Sequence, residues 1–130
     1  MVSIDEVSRA AAALPEVVEG DRRGSRIWSV AGKTFAWERP FSKADLKRFG
    51  DVPPPAGSIL AVRVLDLVDK EAVLASGLAG FFTIPHFDGF SAVLIELDQA
   101  ELEAVAEALT DGWLACAPPK LSSQYRRLDP

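Results

Sequence analysis

The sequence is poor in the residues that form covalent cross-links and metal sites, since it has one cysteine, Cys116, and one histidine, His86. A single cysteine cannot form an internal disulfide, which excludes a disulfide-stapled scaffold. Because a structural zinc site takes about four nitrogen or sulfur ligands, we expect no zinc site. The acid pairs Asp66/Asp69 and Asp98/Glu101 could in principle bind magnesium but are interpreted as helix caps and first-turn charges, so we expect no metal site. The glycine-rich loops that bind phosphates and the G-x-S-x-G motif of hydrolases are also absent. We therefore predict a protein without a cofactor and without a catalytic centre.

Targeting and membrane segments are also absent from the sequence. Residues 1–6 include two acids and no basic cluster, and no apolar run approaches the roughly 18 residues that a membrane span needs. These absences predict a cytoplasmic protein that does not bind membranes.

The composition is that of one folded domain. The chain has 130 residues, of which 48% are hydrophobic and 25% are charged. A chain of this size can bury a core without metal or disulfide support, so we predict a single domain over 1–130. The net charge of -5 and the isoelectric point near 4.8 argue against general binding to polyanions.

The charges are unevenly distributed along the chain. Residues 22–50 carry eight bases and two acids, whereas residues 51–111 carry two bases and eleven acids. The basic segment is interpreted either as a local anion-binding face or as the solvated surface of a hairpin and a short helix. Its bases are Arg22, Arg23, Arg26, Lys33, Arg39, Lys43, Lys47 and Arg48.

Hydrophobic periodicity and capping residues predict an α+β fold. A Ser3/Glu6 capping box begins a helix over 4–14. Ser42 begins a short helix over 43–49, and Asp66 begins one over 67–76. Apolar runs predict strands at 25–30, 33–38, 59–64, 81–84 and 92–97, and a last helix begins near Leu102 with a further turn capped by Asp111. We therefore expect one compact domain with a mostly antiparallel sheet and helices packed on one face.

The hairpin around Ala31 and Gly32 has a predicted register. A two-residue loop places Trp28 opposite Phe35 and Arg26 opposite Trp37, so that the three aromatic side chains share one face. This face is either a stacking platform for bases or the buried side of the hairpin, with Arg26 covering Trp37. The buried interpretation is favoured.

The segment Gly80–Gly89 concentrates aromatic residues around the single histidine. His86 and Asp88 are either part of a ligand site at a turn or part of a hairpin whose phenylalanines pack inward. Because the sequence places no second catalytic residue nearby, the second interpretation is favoured.

Several segments of the chain resemble the MmcQ/YjbR-like family. The most specific is FFTIPHFDGF, at 81–90, followed by AVLI at 92–95. Weaker similarities are the LPEV at 14–17, the SVAGKTF at 29–35, the LTDGW at 109–113 and the APPK at 117–120. The resemblance implies a compact α/β fold of the double-wing type, related to the DNA-binding domain of a phage transcription activator, and it implies DNA binding. One branch of that family has an Asn-Lys-x-His-Trp motif after the turn, where this chain has FDGFS at 87–91 and no base.

Three functions are consistent with the sequence. The first is a DNA-binding module without catalysis, whose face is the set of eight bases in segment 22–48. The second is a protein-interaction or regulatory domain that uses the acidic helix at 98–111 and the turn at 81–90. The third is a binder of a small ligand in a cleft near His86 and Asp88.

Overall fold

An antiparallel sheet is the centre of the protein in this computed structural model, which describes residues 2–53 and 57–128. The helices in this part of the chain are α1 (Ile4–Ala12), α2 (Lys43–Phe49), α3 (Leu67–Ala75), α4 (Leu102–Cys116) and α5 (Pro119–Leu128), with a 3-10 turn at Pro85–Phe87. The strands are β1 (Val17–Arg22), β2 (Ser25–Val30), β3 (Lys33–Glu38), β4 (Ile59–Arg63), β5 (Phe81–Phe82) and β6 (Ala92–Glu96).

The strand order across the sheet is β1-β2-β3-β4-β6-β5, so β1 and β5 lie at its edges. Every neighbouring pair is antiparallel. The predicted α+β class and antiparallel sheet are therefore confirmed. The single domain predicted for 1–130 includes positions 1, 54–56 and 129–130, which lie outside the described residues.

Capping boxes begin the first two helices, as the sequence predicts. The Ser3 hydroxyl accepts a hydrogen bond from the amide of Glu6, whose carboxylate accepts one from the amide of Ser3. Ser42 and Asp45 form the same reciprocal pair at the start of α2. These bonds satisfy backbone amides that have no partner inside the helix, so they fix where each helix begins.

One face of the sheet packs against α1 and α4 and is called the helical face below. Its core includes Trp28, Val30, Phe35, Leu60, Ile95, Leu109 and Trp113. At Gly112, a Cβ atom would lie 2.8 Å from Cγ1 of Val62 and 3.0 Å from the carbonyl oxygen of Arg63. Glycine therefore allows α4 to lie directly on the central strands.

The opposite face, called the open face below, is covered over one half only. Over β4, β6 and β5 it is covered by α2 and the 84–87 segment, which form a second core of Ile59, Ala61, Ile84, Phe87, Ala92 and Leu94. Phe49 attaches α2 to this core, so the expectation that the helices occupy a single face is wrong. Over β1, β2 and β3, the side chain of Val18 is 66% exposed and those of Ile27 and Trp37 are half-buried.

The predicted hairpin register is wrong because β3 contains a β-bulge. Val30 pairs with Lys33 as predicted, but beyond Ser29 the register shifts by one residue, so that Trp28 pairs with Ala36 and Ile27 with Trp37. Phe35 is the extra residue, and it lies in the core of the helical face. A shift of one residue moves every later side chain to the other face. Trp37 therefore lies on the open face, away from Trp28 and Phe35.

Three elements differ from the sequence-based expectation. Strand β1 is not predicted because Gly20 and the charged residues beside it hide any apolar alternation, and most of this edge strand is exposed. Helix α4 continues through Asp111, which lies inside it and does not cap a separate turn. Helix α5 starts at Pro119, where a proline is tolerated because the first helical amide needs no partner in the helix.

Candidate functional site

The eight bases of segment 22–48 do not form one face. Arg26 points to the helical face, where its guanidinium is 3.2 Å from the carboxylate of Asp5 and 3.1 Å from the hydroxyl of Ser8. Lys33 begins β3 beside Val30, at the opposite end of the sheet from Arg26. These two bases are therefore separated from the rest, and the predicted use of Arg26 to cover Trp37 is wrong.

Two more of the eight bases share one buried carboxylate. Asp45 is 3% exposed, and its carboxylate lies 2.9 Å from Nη2 of Arg39 and 3.9 Å from Nη1 of Arg48. Burial raises the pKa of Asp45, but the amide and hydroxyl of Ser42 and the guanidinium of Arg39 outweigh it and hold the pKa below its ordinary value of 3.8. Asp45 thus ties α2 to the segment that follows β3, and it neutralises part of the basic set.

The remaining bases are exposed, and none has an ion-pair partner among residues 2–53 and 57–128. Arg22 pairs with Ser25 on the same side of β1 as Gly20 and therefore lies on the open face. Arg23 is in the β1–β2 turn with a positive φ of 55°. Lys43 and Lys47 project from α2, which packs on the open face.

Aromatic rings and guanidinium groups meet at the margin between the covered and uncovered halves of the open face. The ring centroid of Trp37 is 6.5 Å from that of Phe87 and 6.3 Å from that of Phe90. The guanidinium carbon of Arg39 is 5.6 Å from the centroid of Phe87, and that of Arg63 is 5.2 Å from the centroid of Phe90. We call these five residues the aromatic–arginine surface, in which Phe87 is buried and supports the other four. Such cation–π contacts hold an arginine over a ring while leaving its N–H groups available to other acceptors.

A buried lysine holds the turn that carries part of this surface. Nζ of Lys70, on α3, donates hydrogen bonds to the carbonyl oxygens of Phe87 and Phe90 at 2.6 and 2.9 Å. Burial lowers the pKa of Lys70, and the charge of Asp88 opposes that shift. The ammonium thus fixes the backbone of the turn, and with it the positions of both phenylalanine rings.

Sequence reasoning missed Arg63 and Lys70, although a signal for them exists. They are the two bases of the otherwise acidic segment 51–111. Both contact the turn that ends at Phe90. A base that is rare in its segment and lies next to a buried strand or helix is a candidate partner for groups in the same segment. That signal predicts a structural role for Arg63 and Lys70.

His86 and Asp88 are both exposed, and the described residues include no hydrogen bond between them. A cavity of about 110 Å³ beside this turn is lined by Asp45, Arg48, Phe49 and residues 83–85, and His86 does not line it. Of the phenylalanines in segment Gly80–Gly89, Phe87 is buried, and Phe81 and Phe82 are half-buried against the two cores, in agreement with the predicted inward packing.

A larger cavity of about 550 Å³ opens at the end of β3. It is lined by Glu38, Arg39 and Asp98 among others, so its charges are mixed. In the part of the chain that the structure describes, no three histidine, cysteine or acidic side chains are grouped closely enough to hold a metal ion. None of the described helices combines the length and the apolar character that crossing a membrane requires.

Comparison with known proteins identifies relatives over almost the full length of the chain. No family model and no solved structure matches it. Uncharacterized protein Rv2570 of Mycobacterium tuberculosis strain H37Rv is 40% identical over 128 residues, covering 96% of each chain. Uncharacterized protein MT2646 of M. tuberculosis strain CDC 1551 and uncharacterized protein Mb2600 of M. bovis match to the same extent. At this identity and coverage, the chain belongs to the same protein family as these mycobacterial proteins.

Proposed function

We propose that this protein is a nucleic-acid-binding module and that it binds through the open face of its sheet. The observation that carries the proposal is the aromatic–arginine surface beside the uncovered half of that face. Trp37 is half-buried and Phe90 is 37% exposed, so both side chains are partly accessible at a place where two guanidinium groups are held, one of them over the Phe90 ring. Aromatic rings and arginine side chains are the groups that contact bases and phosphates in nucleic-acid complexes.

The charge on the open face supports the same proposal. Arg22 lies on that face, and Lys43 and Lys47 project from the helix that packs on it. Asp45 is the carboxylate that contacts the bases there, and it is shared between Arg39 and Arg48. These bases place positive charge on and beside the open face, although the chain as a whole carries a net charge of -5 and the exposed Asp88 lies in the turn between Phe87 and Phe90. The predicted DNA-binding set becomes smaller in this proposal, since Arg26 and Lys33 leave it and Arg63 joins it.

The proposal is tested by the salt dependence of binding. Full-length protein is titrated into a fluorescently labelled oligonucleotide at several salt concentrations, and anisotropy is recorded. With about three to four phosphate contacts, log K should fall with log salt at a slope of about -2 to -4, because each contact releases counterions. Replacing Lys43 and Lys47 by Gln should make the slope shallower by about one to two, whereas Lys33→Gln should leave it unchanged. Absence of binding at low salt would refute the proposal.

The family resemblance seen in the sequence is part of this proposal. We propose that the chain is an MmcQ/YjbR-like protein and that it acts in the cytoplasm. The segment FFTIPHFDGF at 81–90 supports the family assignment, and it is the same segment that supplies Phe87 and Phe90 to the aromatic–arginine surface. DNA is the nucleic acid that the resemblance implies.

A second candidate function, a protein-interaction domain, is favoured by one apolar cluster. Leu65, Leu67 and Val68 are 71%, 49% and 77% exposed where β4 leads into α3. Exposed apolar side chains grouped in this way are a common feature of protein interfaces. A pull-down with wild-type protein and with a Leu65→Ser, Val68→Ser variant tests it. A partner that is lost with this variant and retained with Lys43→Gln would support this second function over the first.

A further inference from the structure

We infer that the nucleic acid that binds the open face is a single strand, whose bases stack on Trp37 and Phe90. This inference rests on the proposed function, and it adds the strand state and the mode of contact. Three features of the described residues support it: the shape of the uncovered face, the way the arginines are held, and the charge of the rest of the molecule.

The uncovered half of the open face has the shape of a shallow platform. It is formed by three strands spaced about 4.8 Å apart, each of six residues and roughly 17–20 Å long. Beside Trp37 on this side lie the half-buried Ile27 on β2 and, beyond it, Gly20 on β1, which has no side chain. A flat surface with a large ring at its margin suits an unpaired base, whose π face is accessible.

The structure of α2 does not suit reading of a duplex. Major-groove reading uses a helix or a ribbon that projects into the groove. Helix α2 has seven residues and is held against the sheet by Phe49 and by the buried Asp45. Its exposed lysines, Lys43 and Lys47, can therefore contact a backbone that crosses the open face, but the helix cannot enter a groove.

The guanidinium groups are held in positions that suit exposed bases. Arg63 lies over the Phe90 ring and has no ion-pair partner among the described residues, so its N–H groups can donate to a phosphate or to a base edge. Arg39 lies over Phe87, and its guanidinium is occupied by Asp45. Arg63 is thus the arginine available to the strand, and Arg39 supports the ring beneath it.

The overall charge also favours a single strand. A duplex carries one negative charge per about 1.7 Å of its axis, twice the density of one strand. The segment 51–111 contributes eleven acids to this small domain. A ligand with the lower charge density meets less repulsion from these acids, while stacking supplies affinity that does not depend on charge.

The test compares strand states in the wild-type protein. Labelled single-stranded DNA, single-stranded RNA and duplex DNA of about 16 nucleotides, the upper site size of a small domain, are titrated at equal salt. We expect at least one single strand to bind about tenfold more tightly than the duplex. Because Trp28 and Trp113 are fully buried, quenching of tryptophan fluorescence on binding should come from Trp37.

Substitutions of the two rings, Trp37 and Phe90, locate the contact. Trp37→Leu and Phe90→Leu should each weaken single-strand binding by about tenfold, the effect of losing one stacked base, and leave duplex binding unchanged. Trp37→Phe should retain most of the affinity because it keeps a ring. Lys33→Gln is the matched control at the opposite end of the sheet and should have no effect. Far-ultraviolet circular dichroism and thermal melting show whether each variant is folded. If Trp37→Leu does not fold, Phe90→Leu alone tests the stacking contact.

The outcomes separate this inference from the proposed function. Equal binding of duplex and single strands, with no effect of Trp37→Leu or Phe90→Leu, would overturn stacking while nucleic-acid binding stands. Absence of binding to all three oligonucleotides would overturn both. A preference for single-stranded DNA over single-stranded RNA, or the reverse, shows which of the two nucleic acids the protein binds. Either preference supports stacking if Trp37→Leu and Phe90→Leu lower the affinity.

Discussion

Trp113 and Trp28 are fully buried on the helical face, and each indole N–H has an acceptor, at the carbonyl of Pro15 and the carboxylate of Glu19. On the open face, Trp37 is half-buried and lies among two phenylalanine rings and two guanidinium groups. The same residue type therefore fills a core on one side of the sheet and forms part of a surface on the other. Burial and hydrogen bonding distinguish the two uses, so mutations on the two faces should have different consequences.

The largest expected difference is between two tryptophan truncations. Trp113→Ala removes the fully buried ring that α4 packs into the core and should reduce the free energy of unfolding by about 3–5 kcal/mol. Trp37→Ala removes a half-exposed ring and should reduce it by about 1–2 kcal/mol. Urea denaturation followed by circular dichroism measures both, with Trp113→Phe as a milder variant if Trp113→Ala does not fold. Equal losses would mean that Trp37 belongs to the core.

The attachment of α2 to the open face depends on charge, and Asp45→Asn tests it. Removing this carboxylate leaves Arg39 and Arg48 without their shared partner, and we expect a loss of about 2–3 kcal/mol at pH 7. Because the folded-state pKa of Asp45 is below 3.8, its contribution is complete above that pH and is lost as the pH falls through the folded-state pKa. The difference between wild type and variant should therefore shrink below about pH 4. Asp51→Asn, an exposed acid after α2, is the control and should change stability little; a constant difference at all pH values would contradict the ion-pair account.

A buried ammonium holds the backbone that carries the phenylalanine rings of the open face, whereas on the helical face the tryptophan rings are held by packing and by hydrogen bonds from their own indole N–H groups. Lys70→Met should reduce stability by about 2 kcal/mol, because two carbonyl oxygens lose their donor. The same variant should weaken binding of a single strand, since the turn that holds Phe90 is released. Lys120→Met, on exposed α5, should have neither effect. Urea denaturation and anisotropy titration check both parts, and an unchanged stability would show that the turn holds without Lys70.

The smallest effect is expected at the exposed ion pair on the helical side. Asp5→Ala removes the partner of Arg26, and both side chains are substantially exposed. Such pairs contribute about 0–1 kcal/mol, so the expected loss is below about 0.5 kcal/mol. Nucleic-acid binding should be unchanged, because Arg26 faces away from the open face. A clear gain or loss of binding would place Arg26 in the interface.

Much of the fold follows from local signals in the sequence. Ser3 and Ser42 each accept a hydrogen bond from an amide three residues later, in the helix that they begin. A window of four residues is therefore enough to predict where these helices start. The strands at 25–30 and 33–38 match β2 and β3 because a tight turn at Gly32 separates two apolar runs. Signals of this kind do not depend on the rest of the chain.

The parts that were missed depend on contacts between distant segments. Strand β1 is held by its pairing with β2, and nothing in its own charged sequence indicates a strand. The site depends on the bulge at Phe35, which no periodicity predicts. It also depends on the hydrogen bond from Lys70 to Phe87, which are 17 residues apart in the sequence. The sequence therefore indicates Trp37, Arg39 and the 81–90 turn as candidates, but it does not predict that they lie together on one surface.

The bulge in β3 allows two neighbouring residues, Phe35 and Ala36, to lie in the core of the helical face. Phe35 occupies one extra position, and the residues after it are inverted relative to a regular hairpin. Deleting Phe35 would leave a regular hairpin in which Ala36 still pairs with Trp28 and Trp37 with Ile27, so Trp37 would stay on the open face while the core beneath α4 would lose a fully buried ring. We therefore expect a relative with a one-residue gap at this position to keep its open face and to repack the helical-face core.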